Sequence, residues 1–487
     1  MKHIASWIQD CNNPLRRGKQ GDPIVDSQDY DVIVLGGGSA GIAAAVAAAR
    51  NGARTALVEA GQMLGGELLT GMTVDGAING RGQDTVGGVL NDLLDLCRDM
   101  GGFVAKLNDW RLIQYVAYDP EIMKIAIPQL VFGAGVKVYL QTFAEEVVQA
   151  GGRISGLVVR NKGGRRLLTA RAFVDASGDG DLCAMAGAQM MSVGPDEKPQ
   201  PMSMMFRMAN VDSAALLSYV REHPESVAVG ESEAIRGGRT DREITEEIYR
   251  QGQPCVFFKG DGPLLGDAIA RGDMFPTALI MIQPTSDVRR EVCVNATRIV
   301  LDDPMQADNM ATALRVLTGQ VFQCAAFLRK AVPGFGDASI SGMSPRIGIR
   351  ETRRVVGDYV LTGEDVLEAR KREDGVAKGC HHVDIHQDGT GQIRIPVADG
   401  GSYDIPLGSL LPKGLENVVI AGRCLSASRE AQGSARVMGS CMAMGQAAGS
   451  LTAMASGQTN HSSLRDIPVG RLRQALRAQG AILDGTY

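Results

Sequence analysis

Short apolar runs and helix-forming segments alternate near the start of the chain. Val32 to Leu35 is a run of apolar, mostly β-branched residues that is too short for a helix, so it is predicted to be a buried strand. An alanine-rich segment follows and stops at Asn51-Gly52, a pair typical of a helix C-terminus. A second short apolar run, Thr55 to Val58, comes directly afterwards. This succession predicts a strand–helix–strand unit and therefore an α/β fold.

Two later apolar runs repeat the pattern of a strand that runs into a glycine. Leu167 to Val174 leads into Ser177-Gly178, and Leu415 to Ile420 leads into Ala421-Gly422. Both are predicted to be strands of the same domain as the first unit, although they lie far apart in the chain. A segment rich in small residues begins near Ala435 and is predicted to be a long helix.

The middle of the chain has a different character. It holds most of the prolines, charged helices such as Asp241 to Tyr249 and short strands such as Glu291 to Asn295. We therefore predict a Rossmann-like dinucleotide-binding domain into which an α+β substrate or cap domain is inserted. The predicted division is an N-terminal arm at 1–28, the dinucleotide-binding domain at 29–195 and 411–460, the inserted domain at 196–410 and a C-terminal tail at 461–487.

Glycines with the spacing G-x-G-x-x-G join the first strand to the first helix. Gly36 permits a tight turn, Gly38 leaves room for a pyrophosphate and Gly41 lets the helix pack closely on the strand. The amides of Ser39 and Ala40 would open the helix, whose N-terminus attracts anions. Because the triplet stands between a strand and a helix, it predicts a dinucleotide site more strongly than the spacing alone.

The second strand ends at an acid. Glu59, followed by Ala60, can accept hydrogen bonds from a ribose 2′-hydroxyl in either NAD or FAD. The glycine doublet Gly65-Gly66, with Glu67, is predicted to form a loop that passes over the cofactor. The sequence contains one such nucleotide turn. The predicted strands that lead into Ser177-Gly178 and Ala421-Gly422 are expected to bring early and late segments of the chain to the same ligand. This arrangement favours a long flavin dinucleotide over NAD.

Composition excludes several classes of function. The 487 residues carry a formal net charge of −5, which predicts binding of neither nucleic acid nor an anionic membrane. The nine cysteines are scattered and form no Cys-x-x-Cys pair, which argues against a redox dithiol or an iron–sulfur site and for a reducing compartment. The N-terminus lacks a secretory signal, and Val437 to Ala455 contains Gln446 and small residues typical of a packed helix. A cytoplasmic location is expected.

Several longer segments resemble one enzyme family. They read VDASGDGDL, PMSMMFRMANVD, VNATRIV, RIGIRETRRVVGDYVLTGEDV, DIPLGSLLPKG and NVVIAGRCLSASREAQGSARVMGSCMAMGQAAG. Over roughly residues 29–456 the chain is similar to the FAD-dependent oxidoreductases of the glutathione-reductase-like flavoprotein superfamily. The resemblance implies FAD as the cofactor. Where many members have Gly-Asp after the last strand, this chain has Gly422-Arg423, so Arg423 or the following loop would have to supply ribityl or pyrophosphate contacts.

The motifs and the resemblance together give a set of expected FAD contacts. By resemblance, the helix after Ala435 points its N-terminus at the pyrimidine end of the flavin, where the helix dipole stabilises negative charge; simple tight packing is the alternative. The expected contacts are Gly36, Gly38, Ser39, Ala40, Gly41, Glu59, Ala60, Gly65, Gly66, Glu67, Ser177, Gly178, Asp179, Gly422, Arg423, Val437, Met438 and Gly439.

An arginine-rich segment is the first candidate for the reaction site. Within SPRIGIRETRR, Arg346, Arg350 and Arg353 or Arg354 would share a face if the segment were helical or bent. Guanidinium groups in excess over acids suit a clamp on a substrate carboxylate or a cofactor phosphate, whereas the alternative is an ion-paired domain junction. Arg350 and Arg353 are the candidates chosen as catalytic.

A histidine-rich segment is the second candidate. In GCHHVDIH the spacing of Cys380, His381, His382 and His386 fits no closed zinc set, so no metal site is predicted. His386 is favoured as a general base or substrate-orienting group beside the flavin, against the alternative of an ordinary strand. Asn295 and Tyr403 are weaker candidates for the same pocket.

These observations predict an oxidoreductase that transfers a hydride between a small organic substrate and non-covalently bound FAD. The arginines favour an anionic substrate, and the direction of the reaction is open. A flavin monooxygenase is the enzymatic alternative, with an NAD-linked dehydrogenase third. From another class, the chain could be a flavin-carrying electron-transfer subunit of a larger complex. A homo-oligomer is left open.

Overall fold

The computed structural model describes residues 28–194, 197–458 and 463–486. The predicted arm at 1–28 lies outside the described residues except for Gln28. The strands are β1 (Gln28–Leu35), β2 (Thr55–Val58), β3 (Val74–Ile78), β4 (Phe103–Asn108), β5 (Gln114–Tyr118), β6 (Lys137–Tyr139), β7 (Phe143–Ala150), β8 (Arg153–Asn161), β9 (Gly164–Asp175), β10 (Met190–Met191), β11 (Phe206–Ala209), β12 (Val256–Lys259), β13 (Leu279–Ser286), β14 (Glu291–Asn295), β15 (Ser339–Met343), β16 (Arg354–Val355), β17 (Gly375–Gly379), β18 (Val383–His386), β19 (Gln392–Ile395), β20 (Tyr403–Pro406) and β21 (Val418–Ile420).

The helices lie between these strands and after the last of them. They are α1 (Ser39–Arg50), α2 (Val89–Asp99), α3 (Pro120–Gly133), α4 (Asp181–Met185), α5 (Ser213–Glu222), α6 (Glu233–Arg236), α7 (Asp241–Gln251), α8 (Pro263–Ala270), α9 (Ala307–Ala331), α10 (Gly363–Leu367), α11 (Arg429–Ala435), α12 (Met438–Ser456) and α13 (Val469–Ala478). Short 3₁₀ turns occur at Gly66–Leu69, Pro224–Ser226, Ala398–Gly400, Leu407–Leu410 and Leu464–Asp466.

A largely parallel sheet carries the predicted dinucleotide turn. Its order is β6-β2-β1-β9-β8-β7, and β21 pairs in parallel with β9 beyond the point where β8 leaves it. The register places Leu35 beside Val58 and beside Asp175, and Asp175 beside Ile420. The C-terminal ends of β1, β2, β9 and β21 therefore lie side by side, and the loops that follow these strands meet at one edge of the sheet. The predicted α/β fold is confirmed.

Two helices cover this edge and touch each other along their backbones. A Cβ added to Gly445 of α12 would lie 2.1 Å from the carbonyl oxygen of Ala40 in α1, and one added to Gly449 would lie 2.1 Å from that of Ala44. Only glycine allows this approach, and α12 is buried along almost its whole length. The prediction of a packed helix near Val437 to Ala455 is confirmed.

A second, antiparallel sheet has the order β12-β13-β14-β11-β15. Its hydrophobic core draws on residues between Met202 and Ile349, including the buried side of α9. A third sheet, β3-β5-β4, lies between this core and the parallel sheet, with β5 packed against β13.

The structure places one predicted boundary differently. Buried residues between Val355 and Leu410 belong to the core of the parallel sheet, not to the second core. The segment predicted to be inserted, 196–410, is therefore too long at its C-terminal end, because its last strands pack on α11 and α12 instead. Leu472 and Leu476 of α13 join the same core, so this part of the predicted tail is packed.

By length and composition alone, one helix among the described residues, α9, could cross a membrane. Its most apolar stretch has a mean hydropathy of 1.2 and is 39% buried. This evidence is weak, because core helices of globular proteins pass the same test. Here Leu317, Val321 and Leu328 pack into the core of the second sheet.

Candidate active site

A cavity of about 730 Å³ begins at the edge where the parallel strands end and continues inward to the third sheet and β18. Its outer part is lined by the loops after β1, β2, β9 and β21. Its inner part, called the chamber below, is lined by side chains of β5, β13, β14 and β18 and of the loops around them. One continuous space therefore joins the predicted dinucleotide site to the predicted catalytic residues.

The glycine turn has the geometry that a bound diphosphate requires. Gly36 has φ of +97°, and a Cβ at Gly41 would lie 1.7 Å from the Gly36 carbonyl oxygen, so both positions exclude a side chain. At Gly38, by contrast, nothing lies within 4 Å of an added Cβ. Gly38 precedes the first turn of α1, so unpaired amides and the positive end of the helix dipole face this open space.

Glu59 is held in place by two backbone amides. Its Oε2 accepts a hydrogen bond from the Gly37 amide at 2.6 Å, and its Oε1 accepts one from the Gly61 amide at 2.6 Å. A carboxylate has about four lone-pair sites, so two remain for hydroxyl groups of a ligand. Glu59 lines the cavity, as its predicted role requires.

The glycine doublet docks onto the turn. The Gly65 amide donates to the Gly37 carbonyl at 2.7 Å, and a Cβ at Gly66 would lie 3.0 Å from the Cα of Gly38. Gly65 and Gly66 both have positive φ, which explains why glycine occupies these positions. The loop therefore closes one side of the outer cavity.

Arg423 lies against the turn after β9. Its Nη2 donates to Asp179 Oδ1 at 2.8 Å, and its Nη1 donates to Thr352 Oγ1 at 3.0 Å. Although burial acts to raise it, the positive charge of Arg423 helps to lower the pKa of Asp179. Arg423 thus stands at the cavity as predicted, but its charge is balanced by Asp179.

Most of the expected FAD contacts line the cavity. They are Gly36, Gly38, Ser39, Ala40, Glu59, Ala60, Gly66, Glu67, Ser177, Gly178, Asp179, Gly422, Arg423, Val437 and Met438. Gly41, Gly65 and Gly439 do not line it. Gly439 instead lets α12 lie against β3, because an added Cβ would be 2.6 Å from the Gly76 carbonyl carbon. For these three glycines the structure supports a packing role rather than direct contact.

Seven arginines line the cavity, together with seven aspartates and glutamates. The arginines are Arg111, Arg346, Arg350, Arg353, Arg394, Arg423 and Arg436. Each of the others has a carboxylate within 4.0 Å, whereas the described residues place none that close to Arg350. Arg350 donates from Nη1 to the Pro201 carbonyl at 2.6 Å. Burial, together with the nearby Arg436, lowers the pKa of Arg350 to about 9.

The arginine-rich segment is not helical, so the predicted shared face does not form. Paired hydrogen bonds between Ser203 and Gly348 hold the segment extended. Arg350 and Arg353 nevertheless reach the cavity, and Arg353 pairs with Asp181 at 2.6 Å. Arg354 turns away and pairs with buried Glu351 at 3.0 Å. The ion-paired interpretation therefore fits Arg353 and Arg354, and the clamp on an anion stays a prediction for Arg350.

His386 lines the chamber, but both of its ring nitrogens are engaged. Arg298 Nη2 lies 2.9 Å from Nδ1, and since a guanidinium can only donate, Nδ1 must accept. Nε2 then carries the proton and donates to Asp384 Oδ2 at 2.8 Å. Burial lowers the pKa of His386 to about 3, against the opposing effect of Asp384. The prediction that His386 is a general base is wrong in this geometry, because its lone pair is occupied.

The neighbouring histidines are also neutral. The rings of His381 and His382 stack with centroids 3.9 Å apart. Nδ1 of His381 donates to the His382 carbonyl at 2.8 Å, and burial lowers the pKa of His381 to about 4. Both histidines line the chamber.

The two weaker candidates have different outcomes. Asn295 lines the chamber with its Nδ2 3.7 Å from the sulfur atoms of Met72 and Met281. Tyr403 is fully buried between strands, and its hydroxyl is 2.7 Å from Ser434 Oγ. It does not line the cavity, so the prediction that places it there is wrong. The pairing of β17 with β20 turns Tyr403 into the core.

The sequence profile of the FAD dependent oxidoreductase family matches residues 31–476, most of the chain. The chain belongs to the FAD-dependent oxidoreductases. It is therefore an enzyme whose cofactor is FAD, as predicted. The narrower placement among glutathione-reductase-like proteins stays a prediction.

Three solved structures resemble this oxidoreductase at a distance. A geranylgeranyl bacteriochlorophyll reductase-like protein from Thermoplasma acidophilum is 14% identical with a TM-score of 0.46, over 93% of this chain and 84% of that chain. The flavin-dependent brominase Bmp2 is 12% identical with a TM-score of 0.44, over 92% and 83%. CabE, an aromatic hydroxylase from angucycline biosynthesis, is 14% identical with a TM-score of 0.42, over 93% and 69%. At these TM-scores, none indicates which reaction this oxidoreductase catalyses.

The cavity of this oxidoreductase fits FAD. Gly38 leaves open space before the amides of α1, where a pyrophosphate carries its charge, and Glu59 keeps acceptor sites for ribose hydroxyls. The N-terminus of α12, at Val437 and Met438, faces the same cavity. These residues would hold the cofactor along the edge of the parallel sheet, before the chamber.

Replacing Glu59 by alanine should weaken FAD binding by about 10- to 150-fold, since a hydrogen bond to a charged acceptor contributes roughly 1.5–3 kcal/mol. The dissociation constant of FAD, measured by fluorescence quenching on apo-protein, checks this. Circular dichroism of the apo-protein is the control, because the amides of Gly37 and Gly61 also lose their acceptor. Unchanged FAD affinity would mean that Glu59 does not contact the ribose.

Two groups at the chamber were missed by sequence reasoning. Arg436 precedes the expected contacts Val437 and Met438, and its Nε is buried without a partner among the described residues. Asp384 accepts from His386 and also from Gln392 Nε2 at 2.6 Å. A charged residue next to a predicted ligand contact was the available signal for Arg436. No local signal marks Asp384, which looks like a residue of an alternating strand.

Proposed function

We propose that this oxidoreductase transfers a hydride between a carbon of a small organic acid and non-covalently bound FAD. The observation that carries the proposal is Arg350, a half-buried guanidinium at the chamber for which no carboxylate of the described residues lies within 4.0 Å. A buried charge is costly unless it is paired, and a guanidinium binds a carboxylate through two parallel hydrogen bonds. The carboxylate of a substrate would supply the missing partner.

A second guanidinium strengthens the anion site. Arg436 lies 3.5 Å from Asp384, but Asp384 is shared with His386, and the Nε of Arg436 is buried without a partner among the described residues. The neutral state of His386 leaves Asp384 as the acid that faces Arg298, Arg350 and Arg436. The cluster thus retains positive charge for an anionic ligand.

The remainder of the chamber suits an apolar substrate body. Phe257, Leu279 and Met281 form part of its wall. Exclusion of water strengthens the attraction between a guanidinium and a carboxylate. When bound, FAD would accept or supply the electron pair; the protein holds the acid and orients its reacting carbon.

The test is an anaerobic screen of small organic acids against the holo-protein. The panel contains hydroxy acids, amino acids and saturated acids, each with its methyl ester as the uncharged control. We expect at least one acid to bleach the flavin absorbance and its ester to do so far more slowly. Bleaching by esters as fast as by acids would reject the carboxylate site, and no bleaching by any acid would reject the oxidation of such acids.

The purified protein should be yellow and should release about one FAD per chain on heat or acid denaturation. The ring nitrogens of His386 are occupied, and the eight cysteines of the described residues are buried, which disfavours covalent attachment. Chromatography of the supernatant after denaturation measures the released FAD. Flavin that stays with the precipitated chain would contradict non-covalent binding.

A flavin monooxygenase is the second candidate. The apolar wall of the chamber would also accept an aromatic substrate. Because one dinucleotide turn is present, we expect NADH and NADPH to reduce the flavin slowly. Stopped-flow mixing with NADPH measures this rate. Rapid, stoichiometric bleaching would favour the monooxygenase.

A further inference from the structure

A carboxyl group without a positive partner faces the chamber from β3. Asp75 is 7% exposed and lines the cavity. Its Oδ1 accepts a hydrogen bond from Thr73 Oγ1 at 2.8 Å, and no arginine, lysine or histidine nitrogen among the described residues lies within 4.0 Å. The next residue, Gly76, packs on Val437 and Ser440 at the N-terminus of α12. Asp75 therefore lies where the chamber meets the cofactor part of the cavity.

Two buried donors line the same chamber. The amide nitrogen of Gln283 on β13 has no hydrogen-bond partner among the described residues, and the hydroxyl of Tyr115 on β5 has only the thiol of Cys255, a weak acceptor, beside it. Gln283 is 2% exposed and Tyr115 is 1% exposed, so water at the surface does not satisfy them. Since β5 pairs with β3 and packs against β13, the three side chains come from neighbouring strands.

These groups together suit one kind of ligand atom. Gln283 and Tyr115 can donate, and the carboxylate of Asp75 can accept. A hydroxyl oxygen both accepts and donates, so it can satisfy a donor and the carboxylate at once. A carbonyl or ether oxygen could accept from Gln283 and Tyr115 but could not donate to the ionised carboxylate of Asp75.

We propose that the substrate is a hydroxy acid and that Asp75 is the catalytic residue that takes the proton of its hydroxyl group. This inference rests on the proposed function. The carbon–hydrogen bond breaks and its electron pair leaves with the hydrogen to FAD, which is reduced. The oxygen–hydrogen bond breaks, the proton goes to Asp75, and the substrate becomes an oxo acid with a new carbon–oxygen double bond. The reverse reaction returns the proton from Asp75.

The pKa of Asp75 suits a group that takes up the proton of a substrate hydroxyl. Burial raises the pKa of Asp75 to about 7, with contributions from Asp109 and Asp384, while Thr73 and Arg111 lower it. Both protonation states are therefore populated near neutral pH, as efficient proton transfer requires. Asp75 interacts electrostatically with six other titratable groups. They are Asp109, Arg111, Tyr115, Tyr118, Cys380 and Asp384.

The first measurement needs no substrate. Infrared titration of the holo-protein should show a carboxylic acid component with a midpoint near pH 7 that Asp75→Asn removes. The components of Asp109 and Asp181, whose pKa values burial raises to about 6, should remain. Thr73→Val removes the hydrogen bond that favours the ionised form and should move the midpoint of Asp75 upward by about one unit. An identical titration in Asp75→Asn would overturn the inference.

The second measurement is the rate of flavin bleaching by hydroxy acids as a function of pH. We expect the rate to rise with an apparent pKa near 7, and to fall by roughly 10²–10⁴-fold in Asp75→Asn with this pH dependence lost. Thr73→Val should shift the profile upward in parallel with the infrared midpoint, which a purely structural role would not do. Asp84→Asn is the matched control, because that carboxylate pairs with Lys106 outside the cavity lining and should keep the profile.

The outcomes separate this inference from the proposed function. Bleaching by amino acids but by no hydroxy acid would leave the proposed function standing and overturn the hydroxyl assignment. A pH profile that survives in Asp75→Asn would overturn the role of Asp75 alone. Failure of every acid would overturn the proposed function, and the inference would fall with it even if the infrared band titrates as expected.

Discussion

Replacing Arg350 by methionine should weaken binding of the acid substrate by about 30- to 5,000-fold. Removing one partner of a buried, hydrogen-bonded charge pair costs roughly 2–5 kcal/mol, because the other charge is left in a water-poor site. Among the described residues no carboxylate lies within 4.0 Å of Arg350, so its removal from the free enzyme loses only the hydrogen bond to the Pro201 carbonyl and should lower the melting temperature slightly. The substrate concentration at which the rate of flavin bleaching is half-maximal measures the affinity for the acid.

Two comparison variants make this result specific. Arg350→Lys keeps the charge but loses the planar guanidinium. Its affinity for the acid substrate should therefore lie between those of Arg350→Met and the native protein. Arg329→Met removes one positive charge from an exposed position on α9, remote from the cavity lining, and should leave affinity unchanged. If Arg350→Met and Arg329→Met behaved alike, the anion site would have to be sought elsewhere.

Replacing Gly38 by valine should abolish most FAD binding while the chain still folds. The backbone at Gly38 has φ of −75° and ψ of −170°, which valine adopts readily, and no protein atom lies within 4 Å of the new Cβ. The added methyl groups would instead occupy the space left for the pyrophosphate. Forcing extra methyl groups into a packed contact costs typically 1–3 kcal/mol, so FAD affinity should fall by up to about 100-fold.

Gly41→Val is the contrasting variant. A Cβ there would lie 1.7 Å from the Gly36 carbonyl oxygen, so this protein should fail to accumulate in folded form. Thermal unfolding of both apo-proteins, alongside their FAD content, distinguishes a blocked ligand from a broken fold. Full FAD content in Gly38→Val would show that the diphosphate does not cross this turn.

The dinucleotide half of the site could be predicted because its signals are local. The strand β1, the turn through Gly36 and Gly38, the helix α1 and the acid Glu59 follow one another within one short stretch, and each has its own residue pattern. Bonds between near neighbours in the chain hold such a unit together. The structure reproduces it with β2 at the predicted bounds.

The chamber could not be predicted in the same way. Its arginines were expected on a helix, but the contact with Ser203 holds their segment extended. The role given to His386 failed because Arg298, on a distant segment, occupies its lone pair. Tyr403 was expected to reach the pocket, but strand pairing turns it into the core.

By itself, the sequence predicted the α/β fold and the glycine turn expected to receive a diphosphate, because short-range patterns encode both. It predicted the enzyme class and FAD as the cofactor through the resemblance of longer segments to a family, which the match over residues 31–476 confirms. The tertiary structure decided which charges are left without a partner and which nitrogen of a histidine is free. These properties depend on burial and on neighbours from remote segments, as at Arg350, His386 and Asp75. A titratable group acquires its chemical role only when folding has set its surroundings.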